Sequence, residues 1–351
     1  MKDFFKKVTD HFEKKLPFVI YNKPNADAIE GFLQQNGSLF HTDEFTEKGF
    51  VMVSFDGKDR ILIPENQSEK ITVVKEKNVQ IENTFPQKTF SETAKEAYES
   101  LVGKGVEAIN NKQFDKVVLS RTEILKLHNF EVLELFQKLI HTYPTAFCSC
   151  FFHPKIGLWL GATPEKLLQV KGEKFQTMAL AGTQQFNDIE EVIWETKEKE
   201  EQQFVTDFIL ENLENVTSDI AISNPYTYRA GNLLHIKTDI EGSLDEDSTL
   251  KHVLDILHPT PAVCGLPKLK AKAFILENEG YDRSFYSGFL GELNLNYKTD
   301  LYVNLRCMEI KNDQAHLFMG CGITKDSKPE KEFEETVNKS MTMKKILNNN
   351  L

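Results

Sequence analysis

GFLGELNLN (288–296), LYVNLRCMEI (301–310) and AHLFMGCGI (315–323) follow one another toward the end of the chain, each with apolar residues at alternate positions. A period of two is that of strands with one face buried, so the spacing predicts three antiparallel strands. A closing helix is expected from about Pro329. Working back, PKLKAKAFILEN opens at Pro267 and stops before Gly280, the punctuation of a helix with proline in its first turn and glycine after its last. A long charged helix is read over Asp188–Val216, with Phe204, Val205, Phe208 and Ile209 forming one apolar stripe. KVVLSRTEILKL (116–127) reads as a strand after a helix capped by Ser91. A helix over 130–141 and strands over 146–152 and 156–160 come between, the last ending at Gly161. Residues 1–65 add an opening helix and the short alternations FVMVSF and RILIP, and the polar stretch Glu65–Thr93 marks an internal junction. Helices and strands interleave throughout, which makes this an α/β protein.

The 351 residues carry 42 Lys and Arg against 53 Asp and Glu, a net charge of −11. That balance argues against a broad basic surface for nucleic acid or anionic membrane, so an anionic ligand has to be held by local groups. No stretch approaches the apolar length of a bilayer span, and the opening MKDFFKKVTDHFEKKLPFVI breaks every apolar run with charge, unlike a secretory signal. Five cysteines (Cys148, Cys150, Cys264, Cys307, Cys321) without a CxxC spacing read as reduced thiols in a cytoplasmic protein. Nine histidines without an HExxH pair disfavour zinc. No GxGxxG or GxxxxGK[ST] turn is present, which disfavours nicotinamide and P-loop chemistry.

Most polar candidates, taken singly, have a structural explanation. Lys116 opens a strand, where lysines are usually solvated. Glu165 follows Gly161-Ala-Thr-Pro164 and would sit in the first turn of a short helix, a favourable place for a carboxylate. Glu335 and Lys339 are four apart on the closing helix, the spacing of a surface ion pair. Glu201 is more informative: it precedes Val205 by four residues and Phe208 by seven, which places it on the apolar stripe. An inward carboxylate needs a lysine, an arginine or a metal beside it. Gly161, Gly182, Gly288, Gly291, Gly320 and Gly322 each follow or interrupt a strand-like run, where glycine serves a turn or lets the main chain approach a ligand.

The order of these segments is what distinguishes the chain. KVVLSR (116–121), LGATPEKLL (160–168), ALAGT (179–183), KEKEEQQFV (197–205), LHPTPAVCGLPK (257–268), YDRSFYSGFLGEL (281–293), LYVNLRCMEI (301–310) and GCGI with PEKEFEETVNKS (320–340) resemble the chorismate-utilising enzymes, in the same order. The likeness covers about residues 90–345. It implies the chorismate-binding α/β fold, two large, mainly antiparallel sheets packed as a sandwich with outer helices. Residues 91–351 are then the catalytic region and residues 1–90 a weakly constrained N-terminal part of the same unit. Three features resemble the isochorismate-forming branch: Lys116, which matches the lysine that activates water; Ala181, at a position where one aminating branch carries a nucleophilic lysine; and the form of the segment His258–Ala262.

The resemblance implies magnesium-dependent isomerisation of chorismate to isochorismate, with Lys116 as base and Glu165 as acid. Glu201 and Glu335 would hold Mg²⁺. Gly182, Thr183, Arg306, Gly320, Gly322 and Lys339 would bind the substrate carboxylates. It further implies a monomer that needs no glutaminase subunit, with product passing to menaquinone or siderophore biosynthesis. The related salicylate synthases, a silent chorismate-binding partner and an aminating subunit are the rival readings. Two departures stand out. Gln202 follows Glu201 where the family has histidine, and Cys321 occupies a place usually held by a small residue.

Overall fold

The structure, a computed structural model, describes residues 1–76, 88, 90–186, 192–230 and 233–351. Among these residues two antiparallel sheets dominate, one of nine strands and one of ten along its main path. The nine-stranded sheet runs in the order Gly265–Leu266, Lys116–Lys126, Gln314–Ile323, Cys307–Lys311, Gly157–Thr163, Phe147–His153, Phe18–Asn22, Ala28–Gln34, Ser68–Val74. The second sheet is built around Leu233–Leu244, Lys174–Gln185, Lys166–Lys171, Lys298–Val303, Phe289–Leu295, Gly49–Val53 and Arg60–Pro64. Residues before 75 thus feed both sheets.

The sheets pack face to face because their strands are apolar on both sides. Inner-face residues Val19, Tyr21, Phe32, Phe147, Phe151 and Trp159 of the first sheet meet Phe50, Met52, Ile61, Leu290 and Tyr302 of the second. The Phe147 and Tyr302 rings stack at 4.2 Å across this interface. Alternate residues point outward, so Cys148 and Cys150 lie in the core beneath the helix Val132–Thr142. Their role is small-residue packing, and all five cysteines are buried and unpaired. Helices cover the outer faces: Thr196–Leu213 and Leu250–Leu257 on the ten-stranded sheet, Lys2–Glu13 and Val132–Thr142 on the other. Glu92–Asn110, Lys268–Asn278 and Pro329–Leu347 pack over the end carrying Lys116–Lys126. Ser91 caps its helix by accepting from the Ala94 amide.

Two expectations need correction. LYVNLRCMEI is two strands, Lys298–Val303 in the ten-stranded sheet and Cys307–Lys311 in the nine-stranded one, with residues 304–306 crossing between them. Arg306 is therefore a crossover residue with φ of 47°, a left-handed conformation that bends the chain sharply. Alternation continues through the crossover because the inner face of each sheet is buried, which hides the break. The second correction concerns Glu165. No helix follows Pro164; residues 164–165 form the reverse crossover, from Gly157–Thr163 to Lys166–Lys171. The two crossovers run antiparallel and are bonded together, the Ala162 amide donating to Arg306 O at 3.0 Å and the Val303 amide to Glu165 O at 3.0 Å.

The long helix is shorter than its charge pattern suggested, Thr196–Leu213, and residues 188–191 of the expected span lie outside the described residues. Within the expected junction Glu65–Thr93, Ser68–Val74 is a strand and the next helix begins at Glu92. Residues 77–87 and 89 lie outside the described residues.

Candidate active site

The crossovers open a cavity between the sheets at the end where the helix Pro329–Leu347 packs. From the first sheet come Val118 and Phe318 to Gly322; from the second, Leu180 to Thr183 and His235. Glu165 and Arg306 enter on the crossovers, Glu201 and Glu335 with Lys339 on helices. Of the ten residues singled out, nine line this cavity directly. The tenth, Lys116, lies behind Gly322, fully buried, with its Nζ 3.0 Å from Glu201 Oε1. It is not a solvated strand end. The apolar stripe accounts for Glu201: Val205, Phe208 and Ile209 bury one face of the helix, and the carboxylate one turn earlier points the same way.

Close packing at this pair explains one glycine. A Cβ on Gly322 would stand 2.1 Å from Glu201 Oε1 and 3.0 Å from Lys116 Cε. Gly322→Ala is therefore expected to push the carboxylate and the lysine apart, at a cost of about 1–3 kcal/mol in denaturant unfolding. Unchanged stability would show that the pair is not held against this strand.

Electrostatics divide the carboxyl groups. Burial raises Glu165 from 4.5 to about 8, against the pull of Lys116, Arg306 and Lys339, so it is a protonated acid at neutral pH. Burial also works to raise Glu201, but Lys116, Lys197 and Lys339 outweigh it and hold the group ionised, below its ordinary value. Glu335 pairs with Lys339 at 2.7 Å, as the helical spacing suggested, and the Lys339 ammonium also donates to Gly320 O at 2.8 Å. That second bond ties the pair to the cavity wall, so it is not a simple surface pair. Arg306 Nη1 is buried with no hydrogen-bond partner among the described residues, a donor open to an anion.

Several residues here were not singled out in the sequence. His235 is buried, its Nδ1 2.8 Å from Gly182 O and its Nε2 unpartnered; burial, with Arg306 nearby, lowers it to about 3 and keeps it neutral. Ser287, at φ of 61°, likewise leaves its Oγ unpartnered beside Tyr286. A lone histidine in a strand and a serine in a loop give no periodic signal. Glu198, one turn before Glu201, has a buried Oε2 with no hydrogen-bond partner, and Lys197 pairs with the buried Glu332 at 2.5 Å. His258 is half-buried away from the cavity, 3.1 Å from Ser54 O; of its segment Ala262 reaches the wall, next to Val263. Ala181 lines the cavity without a nucleophile. Gln202 is buried and donates to Thr206 Oγ1 at 2.9 Å and to Thr238 Oγ1 at 2.8 Å, tying the helix to the strand that carries His235. Burial, with Glu332 and Glu335 nearby, raises Cys321 well above the ordinary thiol range, so it stays a protonated thiol.

Whether these groups suit a metal depends on the donor set. No group of three or more His, Cys, Asp and Glu side chains able to cage an ion occurs among the described residues. Two carboxylates on one cavity, with lysines as the present counter-charges, instead fit a hard cation that keeps several waters.

The family model described as chorismate binding enzyme matches residues 51–348. The salicylate biosynthesis isochorismate synthase of Pseudomonas aeruginosa is 31% identical over 266 residues, covering 71% of this chain and 54% of that protein. Isochorismate synthase EntC of Escherichia coli K12 is 30% identical over 259 residues, covering 70% of this chain and 66% of that protein. The chain thus spans about half to two-thirds of the length of these relatives. The crystal structure of DhbC from Bacillus anthracis shares the fold, with a TM-score of 0.80 at 24% identity over 97% of this chain and 99% of that one. The matched region runs through both crossovers and includes every group that faces the cavity, and the chain accordingly belongs to the chorismate binding enzymes.

Proposed function

We propose that the protein is an isochorismate synthase, moving the hydroxyl of chorismate from C4 to C2 with the help of magnesium. The observation that carries this reading is a carboxyl group that burial keeps protonated facing the cavity, with a buried lysine behind the cavity wall at Gly322. Water adding at C2 has to lose a proton, and the hydroxyl leaving C4 has to gain one. Lys116 is the base that takes the first proton, and Glu165, protonated up to about pH 8, gives the second. Arg306, with its free Nη1, Lys339 and the main-chain N–H groups of Gly182, Thr183, Gly320 and Gly322 hold the two carboxylates and orient the ring. Glu201 and Glu335 would hold Mg²⁺, which when bound would supply positive charge to the substrate's carboxylates. The test is chromatographic identification of the product from chorismate and magnesium, without added ammonia.

Salicylate synthesis is the second reading; the Pseudomonas relative is named for salicylate biosynthesis and is itself an isochorismate synthase. It requires the same acid and base but releases pyruvate, so salicylate and pyruvate in place of isochorismate would decide for it. An ammonium-dependent product would point to an aminating subunit, and binding without turnover to a silent partner. Ala181 and Lys116 support water as the nucleophile. We further propose a monomer acting without a glutaminase subunit.

If Glu201 and Glu335 share one magnesium, Glu201→Gln and Glu335→Gln should each raise the magnesium concentration needed for half-maximal turnover. Were Glu335 and Lys339 only an exposed ion pair, breaking it would cost about 0.3–0.5 kcal/mol and leave that titration unchanged. Magnesium titrations beside thermal melts separate the two.

A further inference from the structure

The strand Lys116–Lys126 pairs with Gln314–Ile323 along its inner edge from Val117 to Lys126, but among the described residues only the two-residue strand Gly265–Leu266 lies on its outer edge, opposite Lys116 and Val117. From Val118 to Arg121 the strand is still buried, so its outer edge there needs other partners. The Val118 amide donates to Cys264 O at 2.8 Å. From there two side chains continue the ladder: Arg283 Nη2 donates to Val118 O at 2.6 Å, and Glu279 Oε1 accepts from the Ser120 amide at 2.7 Å. The two are paired with each other, Arg283 Nε donating to Glu279 Oε2 at 2.7 Å, and both are almost fully buried. The remaining guanidinium nitrogen, Nη1, donates to Val263 O at 2.9 Å, and the group lies over the Phe55 ring at 4.4 Å. An ion pair thus does what a third strand would do, one partner supplying the donor and the other the acceptor.

Val118 and Val263 are two walls of the catalytic cavity, and Lys116 is two residues from Val118. We infer that Glu279 and Arg283 are positioning residues for the reaction, fixing the strand that carries Lys116 against the wall at Val263. This rests on the proposed function. The planar fork of arginine reaches both carbonyls while keeping its carboxylate partner; lysine keeps the charge but has no such fork. The substrate-binding groups on the ten-stranded sheet and on the crossovers do not depend on the pair.

The experiment compares Arg283→Lys with Phe136→Leu, a change in the core under Val132–Thr142, remote from the cavity and chosen to serve as a stability control. Expected for Arg283→Lys are a fall in kcat of about tenfold or more, a KM for chorismate within about twofold of wild type, and amide hydrogen exchange over residues 116–121 faster by about tenfold. Phe136→Leu should change melting without changing kcat or that exchange. Wild-type kcat in Arg283→Lys, a loss of kcat matched by an equally destabilised Phe136→Leu, or unchanged exchange over 116–121 each overturn the inference. Wild-type protein that forms no isochorismate would instead reject the proposed activity, and the exchange comparison would still decide whether the pair anchors the strand.

Discussion

Glu165→Gln should lose about 10²- to 10⁴-fold in turnover while becoming more stable at neutral pH. Glutamine matches the shape of the protonated acid but has no proton to give, so chorismate binding should hardly change. The stability gain follows from linkage. The folded carboxyl titrates near 8 against 4.5 for the free group, burial being the main cause. Between those values the folded protein holds a proton that the unfolded chain has released, so the wild type is destabilised progressively as pH rises from about 4.5 toward 8. Integrated to pH 7 the loss is of order 3 kcal/mol. Glutamine does not titrate, so the difference in melting temperature between variant and wild type should widen from pH 5 to pH 8. Wild-type turnover should fall above about pH 8 as the acid is lost. Near-normal turnover in the variant, or a melting difference independent of pH, would remove Glu165 from the role of acid.

Lys116→Ala should lose turnover on the same scale, for the complementary reason that the attacking water has no base. The lysine is fully buried against Glu201, and removing one partner of such a pair typically costs 3–5 kcal/mol, so folding has to be checked by a melt. Lys197 and Lys339 still act on the carboxylate and should limit that loss. Partial recovery of turnover with added methylamine would identify the missing group as an amine base. An active alanine variant would show that the lysine only balances the charge of Glu201.

The order of the motifs made the family legible, and the periodicity gave most strands and the outer helices. Positions that depend on the crossovers were not legible. Arg306 and Glu165 sit where the chain leaves one sheet for the other, and an inner-facing residue looks the same to an alternation count on either side of the step. Charge pattern alone also overran the helix Thr196–Leu213, because exposed Glu and Lys residues suit a helix and a polar approach to it equally well. Lys116 shows the converse case. Its place at a strand entrance suggested solvent, and only the helix packed across it, with Glu201 on the inward stripe, makes it a buried partner. His235 and Ser287 had no local signal, since their roles come from what surrounds them in space.

The antiparallel crossovers have a consequence for any attempt to divide the molecule. Neither sheet owns the acid or the free arginine; both groups belong to the two peptide links, which are bonded to each other through Ala162 with Arg306 and Val303 with Glu165. A cut in either link separates strands that remain paired with their own sheets, yet it frees one of the two bonded crossovers while the other still holds the opposite group. Fragments rejoined by complementation should therefore recover secondary structure before they recover chemistry, and a circular permutation opened at residues 164–165 or 304–306 should fold into a sandwich that lacks a working cleft.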